Sequence, residues 1–365
     1  MKIKKYLKSF HSILLINLKF FFSKFSNKKT ILFFHPVDDL TKIHDFYLRK
    51  LSKNLGNNFT IINCHKSFKD LNKDKHFYIS YLSLKFIFFC DIFISNNISD
   101  IFPPFSKKIY IHHSIYDTPL VDKKKEREIE KRLSIYDYIF ISSKKVNNVF
   151  ENLFKNYTKP ILIEAGYLRF SFLINSITKS FNNKKIIIAP TGIDSFANLS
   201  LKKKLNNIIN ILNKSKYYVI LRPHPRDINK IYYQNLKKKN KKNKLFLFDD
   251  SNNYLNTYNN SSLMITDLSG TAYTYAFLTK KPVIFFSERE DLIYKSDYKY
   301  LNYFVDRRII GEIIIHEKKL VFGIRKCFKR KNKIKKEIVK LIKKNQLQLN
   351  SFKLTTKLLK KISND

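Results

Sequence analysis

The sequence predicts an α/β protein built on parallel sheets, and three observations carry that prediction. Short apolar runs bounded by polar turns alternate with helix-length stretches along most of the chain, the pattern of strands joined by crossover helices. The alternation breaks after Ala165-Gly-Tyr-Leu-Arg169, where poorly patterned polar residues run to Asn183 before strand and helix resume. That break marks a boundary between two domains, and 365 residues are enough for each to bury its own core. Finally, residues 262–286 hold a complete unit: an apolar strand at 263–266, about two helical turns, and a second strand at 282–286. Strand, helix and strand at this spacing form a βαβ unit, so the two strands run parallel.

Taken in order, residues 1–28 are a lysine-rich first helix. The early lysines resemble a signal peptide, but no small-residue cleavage site follows, and the apolar part, 10–22, is interrupted by His11, Ser12, Asn17 and Lys19. It is too short to span a bilayer. As a helix it carries Leu7, Phe10, Leu14, Leu18 and Phe21 on one side with lysines at both ends. This suits a helix lying in a membrane interface, and equally a first helix packed on the protein. Residues 29–178 form the first domain, with strands at 30–34, 59–63, 91–95, 108–112, 136–142 and 160–164. The run 77–94 has a membrane-like length, but Lys85 and Asp91 interrupt it, so a buried helix followed by a strand is expected. A charged, solvated helix is expected at 123–133. Residues 179–325 form the second domain, with a strand at 185–189, an amphipathic helix near 199–212, and strands at 217–221 and 245–248 before the 262–286 unit. The lysine run 237–244 reads as a solvated helix end and loop, and 326–365 as a basic helical tail.

Composition bounds the function. The 44% hydrophobic and 15% aromatic content excludes global disorder. A net charge of +42 invites a nucleic-acid reading, but no recognition helix, zinc knuckle or aromatic RNA-binding strand accompanies the lysines. Nucleic acid is therefore not expected as a partner. The basic surface favours anionic membranes and phosphate-bearing substrates. Cys64, Cys90 and Cys327 are odd in number and far apart, which indicates neither a disulfide framework nor a cysteine metal site and fits a reducing cytoplasm.

Candidate chemistry gathers at strand ends. Asp267-Leu-Ser-Gly-Thr271 joins strand to helix, so Asp267, Ser269, Gly270 and Thr271 sit where unpaired N–H groups and the positive end of a helix dipole hold anions. The other reading of this turn is a plain N-cap. Arg222-Pro-His-Pro-Arg226 follows a strand. Each proline holds the preceding residue extended, which would point Arg222, His224 and Arg226 the same way as a diphosphate clamp. Ile111-His112-His113-Ser114 closes a strand in the first domain, where only one of the paired histidines can easily face a cleft. A cleft histidine suits general base work on a hydroxyl, and His35 is a weaker candidate. Glycine-rich nucleotide loops, a nucleophile elbow and a zinc-protease motif are all missing. Asp249-Asp250 reads as a turn or cap, so neither a metal nor another cofactor is expected.

Several pieces fall in a fixed order: His113, Gly166-Tyr-Leu-Arg169, Ala189-Pro-Thr191, Arg222-Pro-His-Pro225, Asp267-Leu-Ser269 and Lys281-Pro282. Over residues 105–290 the chain resembles the CDP-glycerol glycerophosphotransferase family, the teichoic-acid primases and polymerases. The pattern of that family runs Trp-His-Gly, Gly-Tyr-Pro-Arg, Ala-Pro-Thr, Arg-x-His-Pro and Asp-Tyr-Ser-Ser. The resemblance implies a GT-B architecture, two Rossmann-like domains facing across a cleft, with the donor nucleotide held by the second. It implies transfer of glycerol phosphate from CDP-glycerol to a hydroxyl on a membrane-anchored acceptor, with release of CMP, at the inner face of the cytoplasmic membrane. His113 takes the place of the base and His224 that of the histidine at the donor phosphates. Asp267 and Ser269 occupy the donor turn, and His112, Gly166, Arg169 and Thr191 are further cleft candidates. His112 and Ser114 stand for Trp and Gly, Leu168 for Pro, and Gly270 for the second Ser, leaving Thr271 as a substitute hydroxyl. These departures touch the donor more than the fold. Capsule and lipopolysaccharide transferases that use nucleotide sugars share His-Pro and Ser-rich turns in a similar arrangement and are the competing expectation. A basic polyanion- or membrane-binding protein without catalysis is the third.

Overall fold

In the computed structural model the described residues are 2–35, 50–65, 76–112, 115–116, 126–177, 184–192, 201–251, 254–295, 297–345, 347 and 350–364. The chain divides into two compact units. The first comprises Met1–Ser114, Asp122–Phe172 and Leu347–Asp365, and the second Ile115–Val121 and Leu173–Gln346. The first is built on strands β1 (Lys29–His35), β2 (Phe59–His65), β3 (His76–Tyr78), β4 (Ile92–Ser95), β5 (Lys107–Ile111), β6 (Tyr138–Ile141) and β7 (Ile161–Glu164). The second is built on β8 (Lys185–Ile188), β9 (Tyr218–Leu221), β10 (Phe246–Phe248), β11 (Leu263–Thr266), β12 (Val283–Phe286) and β13 (Gly311–Ile314). The helices that matter below are α1 (Lys2–Phe25), α2 (Glu126–Leu133), α3 (Lys144–Leu153), α4 (Leu205–Lys214), α5 (Ile231–Lys239), α6 (Tyr254–Asn259), α7 (Thr271–Thr279), α8 (Leu320–Lys329), α9 (Lys331–Lys344) and α10 (Ser351–Asn364).

The strand order is β3-β2-β1-β4-β5-β6-β7 in the first sheet and β10-β9-β8-β11-β12-β13 in the second. Neighbouring strands are parallel throughout, as the βαβ reading of 262–286 requires. The central strands β4, β11 and β12 are buried along their whole length, which is why they read as unbroken apolar runs rather than alternating ones. In the second unit the chain winds from β8 outward through β9 to β10, then returns to β11 and winds the other way to β13. The reversal leaves a crevice at the carboxyl ends of β8 and β11, the usual ligand position in such sheets.

Three expectations change. The basic tail at 326–365 is divided between the units. On α9 it buries Ile334, Ile338 and Leu341, and on α10 it sends Phe352, Leu359 and Ile362 into a core shared with Ile31, Ile94 and Ile109. Apolar residues at helical spacing decide this, beneath a lysine content that dominates composition. Run 77–94 is not a buried helix plus strand. It gives β3, a 3-10 turn at Tyr81–Phe86 and β4, with Phe86, Phe88 and Phe89 exposed. The helix at 123–133 is seen as α2 and is not wholly solvated. Its Glu130 is buried and accepts the backbone N–H groups of Lys155, Asn156 and Tyr157.

Two strands escaped the sequence. β3 is three residues long and pairs along only the last part of β2. β13 opens on Gly311, where a Cβ would lie 1.6 Å from the carbonyl oxygen of Val283. Only a glycine lets the two backbones come so close there.

Candidate functional site

The stretch 262–286 forms β11, α7 and β12. Asp267 and Leu268 are buried, while Ser269, Gly270 and Thr271 form the half-buried lip of the turn at the start of α7. Nine residues long, α7 is buried all round, with the large side chains of Tyr273, Tyr275 and Phe277 enclosed as well as Ala272 and Ala276. The one-sided packing that the small residues suggested is therefore only part of its environment. At its start Ser269 takes up two N–H groups, that of Thr271 on its hydroxyl at 3.4 Å and that of Ala272 on its carbonyl at 3.1 Å, so the turn is in part an N-cap, and the positive end of the helix dipole faces it.

Asp267 organises the crevice from beneath. One carboxylate oxygen accepts the N–H of Thr191 at 2.8 Å and the other that of Leu201 at 2.9 Å. Thr266 adds a hydrogen bond from its hydroxyl to the carbonyl of Ala189 at 2.6 Å. The end of β11 and the Ala189-Pro-Thr191 loop after β8 are thus tied across the strand reversal. Burial pushes the Asp267 carboxyl above its ordinary pKa, while the N–H groups of Leu201 and Thr191 pull it down. Because its oxygens are occupied by the backbone, Asp267 shapes the site that Ser269, Gly270 and Thr271 present.

Support for the turn comes from tyrosines the sequence did not single out and from Lys281, which it did. The Tyr303 hydroxyl lies 3.3 Å from the carbonyl oxygen of Asp267 and 3.2 Å from that of Ser269, and Tyr273 donates to the carbonyl of Tyr303. The hydroxyls of Thr271 and Tyr258 meet at 2.5 Å. Lys281 donates to the carbonyls of Tyr258 and Asn259 at 3.1 and 2.9 Å, closing the end of α6. Burial lowers its pKa to about 8. Tyr303 is 36 residues from Asp267 along the chain, so no local pattern marks it.

The Arg222 to Arg226 segment departs from the expected clamp. It is extended only as far as His224, because Pro225–Asp227 turn into a 3-10 helix that His224 caps. The Arg222 guanidinium turns to Asp249 at 2.6 Å, donates to the carbonyl of Ser251 at 3.0 Å, and lies over the Tyr254 ring. Arg222 therefore does not share a face with the other two as a free cation. A buried carboxylate one strand over attracts it more strongly than solvent does. His224 and Arg226 stay together: Nδ1 accepts the backbone N–H of Arg226 at 3.3 Å. Burial first, then the Arg226 charge, lowers the His224 pKa to about 4. The ring is neutral at pH 7 with its proton on Nε2, a hydrogen-bond donor. Strands β9, β8 and β11 are consecutive in the sheet, so His224, Thr191 and the Ser269 to Thr271 lip follow three neighbouring carboxyl ends.

In the first unit, His112 is buried. Its Nδ1 lies 3.0 Å from the Ser142 hydroxyl and its ring is set edge-on against Phe150 of α3. His112 is thus a packed histidine, and His113 lies outside the described residues. Gly166 follows β7 at φ +77, with its N–H on the Ile141 carbonyl at 3.0 Å. This left-handed conformation explains a glycine at that point. Arg169 lies on the short helix Leu168–Leu173, and its side chain, like that of His35, is outside the described set.

Among solved structures the chain is similar to the wall teichoic acid polymerase TagF, with TM-score 0.67 and 19% identity over 99% of this chain and 97% of that one. It is also similar to a glycosyltransferase from Rickettsia africae ESF-5, with TM-score 0.53 and 17% identity over 92% and 99%. At these identities the likeness is one of fold: two parallel-sheet, Rossmann-like domains of the GT-B-like class of transferases. Residues 16–364 match the model of the CDP-Glycerol:Poly(glycerophosphate) glycerophosphotransferase family, and the chain belongs to that family. The minor teichoic acid biosynthesis protein GgaB of Bacillus subtilis (strain 168) is 26% identical over 166 residues, covering 39% of this chain. The match spans only 17% of the length of that relative.

Proposed function

We propose that the protein transfers glycerol phosphate from CDP-glycerol to a hydroxyl of a lipid-linked or cell-surface glycan. The acceptor oxygen forms a bond to the phosphorus that carries the glycerol. The bond from that phosphorus to the bridging oxygen breaks, and CMP leaves with the electron pair. His113, in the position of the family's base, takes the acceptor proton. Nε2–H of His224, the Arg226 guanidinium and the N-terminus of α7 with Ser269, Gly270 and Thr271 hold the diphosphate and the charge growing on the leaving phosphate. Asp267 and Arg222 act one step back, on the 189–192 and 249–251 loops. The reaction is placed at the inner face of the cytoplasmic membrane, with the protein attached peripherally.

The observation that supports this reading is the polar turn at the start of α7, set at the strand reversal of the second sheet, with a neutral histidine after the strand two places away. The test is nucleotide release from a panel of CDP-glycerol and CDP- and UDP-linked sugars. CMP is expected from CDP-glycerol, with His113→Ala and His224→Ala each ~10²- to 10³-fold slower. Release of UDP or CDP from a sugar donor, or CMP release within a few-fold of the parent in both variants, overturns it.

A further inference from the structure

We infer that Tyr258 is a positioning residue for the donor: its buried phenol donates to the Thr271 hydroxyl and so turns the Thr271 proton toward a phosphate oxygen of the ligand. The inference rests on the donor reading proposed above and deepens it at one hydroxyl. Within the lip Gly270 carries no side chain, so the hydroxyls are those of Ser269 and Thr271. Ser269 is drawn back into the helix start, where its hydroxyl and carbonyl take the N–H groups of Thr271 and Ala272 at 3.4 and 3.1 Å. Thr271 stands one residue further into α7. Its side chain is half-buried, and its oxygen meets that of Tyr258 on α6 at 2.5 Å.

Chemistry gives this pair a direction. Of two hydroxyls in contact, one donates and the other accepts. A phenol is more acidic than an aliphatic alcohol, and delocalisation into the ring makes its oxygen the weaker acceptor. Tyr258 therefore donates and Thr271 accepts. Burial presses the same way, since Tyr258 is only 2% exposed and a buried hydroxyl proton left without an acceptor is costly. The Thr271 proton is then excluded from this contact and rotates to the open side of the lip. Accepting one hydrogen bond also polarises the Thr271 O–H and strengthens the bond that it gives. A phosphate group, rich in acceptor oxygens and attracted to a helix start, is the ligand chemistry that uses such a donor.

The phenol is held from behind. Lys281 is 5% exposed, and its ammonium donates to the carbonyls of Tyr258, Asn259 and Ser261 at 3.1, 2.9 and 2.5 Å. Three protons meet three carbonyls, which fixes the backbone that carries the ring. The ring itself lies 4.8 Å from that of Tyr254 and edge-on to that of Tyr275 at 5.2 Å. A lysine and two rings thus set the place of one hydroxyl on the lip.

The probes are CDP and inorganic pyrophosphate, titrated by calorimetry, with CMP release from CDP-glycerol read separately. Tyr258→Phe keeps the ring and removes its hydroxyl, and should weaken CDP binding ~3- to 10-fold. Thr271→Val should weaken it ~10-fold or more, and Thr271→Ser, which restores the hydroxyl, should recover most of that loss. Tyr275→Phe is the packing control. It removes a phenol hydroxyl from the same helix interface, one that lies 3.3 Å from the Ser261 hydroxyl and not at the lip, and CDP binding should stay within about two-fold of the parent. The decisive measure is the double variant: Tyr258→Phe added to Thr271→Val should weaken CDP or pyrophosphate no further. Additive losses in the double variant, or equal losses in Tyr258→Phe and Tyr275→Phe, reduce Tyr258 to packing and overturn the inference, as does a parent that binds neither probe. CMP release by a parent whose CDP affinity is unchanged by Tyr258→Phe counts against Tyr258 alone. Weaker CDP binding in Tyr258→Phe, without CMP release from CDP-glycerol by the parent, counts against the transferase reading alone.

Discussion

Replacing Asp267 by asparagine isolates how the crevice is held. The carboxylate takes two backbone N–H groups, from Thr191 at 2.8 Å and Leu201 at 2.9 Å, in a site only 1% exposed. The amide keeps one acceptor and sets a donor where the other oxygen stood, so one backbone N–H is left facing an N–H. A buried donor without an acceptor costs ~1–3 kcal/mol. Loss of an ionised group from a buried site offsets part of this, because burial pushes the Asp267 pKa up and its ionisation opposes folding. A raised folded pKa contributes stability below the ordinary carboxyl range that is lost as pH rises through the folded value. The Asn variant should lose that pH dependence and, at pH 7, lie ~1–2 kcal/mol below the parent. In a domain of this size each kcal/mol moves Tm by ~2–4 °C. With the 189–192 loop released, the KM for the donor should rise more than kcat falls. The measurements are urea unfolding at pH 5 and pH 7 and donor-dependent CMP release. An Asn variant as stable as the parent at pH 7 with unaltered donor KM refutes the reasoning.

The His224 pKa lies at about 4 against an ordinary 6.5, so its neutral form contributes stability that is present above 6.5 and lost as pH falls toward 4. His224→Gln should flatten the parent's stability loss across that window in chemical unfolding. Arg222→Ala should destabilise by ~3 kcal/mol, because it leaves Asp249 buried without its cation. Arg222→Met combined with Asp249→Leu should recover most of that stability with donor KM within a few-fold of the parent, whereas a large KM rise in the stable double variant would return Arg222 to the donor. Gly311→Ala should cost ~3 kcal/mol or more in urea unfolding, since its Cβ would sit 1.6 Å from the Val283 oxygen and both atoms belong to paired backbones. A loss under 1 kcal/mol would mean that β13 can shift.

The strands with long apolar runs were legible because a parallel strand covered on both faces must be apolar at every position, as Leu263–Thr266 and Val283–Phe286 are. Boundaries moved by only a residue or two there. The expected single-faced packing of α7 was incomplete, because whether Tyr273 and Phe277 are enclosed depends on partners such as Tyr303 and Tyr116 far along the chain. The clamp at Arg222 failed for a related reason. Two prolines fix local backbone but cannot say that Asp249 stands at the end of the next strand.

Sequence alone determined the α/β class, the βαβ unit at 262–286, the strand-end position of the polar turn and the family resemblance, because these rest on periodicity, turn chemistry and motif order within the chain. Tertiary structure decided what each polar side chain is for. It turned Asp267 onto two backbone amides, gave Arg222 to Asp249, packed His112 on Ser142 and left His224 neutral. It also divided the basic tail between two cores and turned the apolar side of α1 outward. Burial and charge pairing depend on which strands lie side by side, and that adjacency is set by contacts between residues tens to hundreds of positions apart.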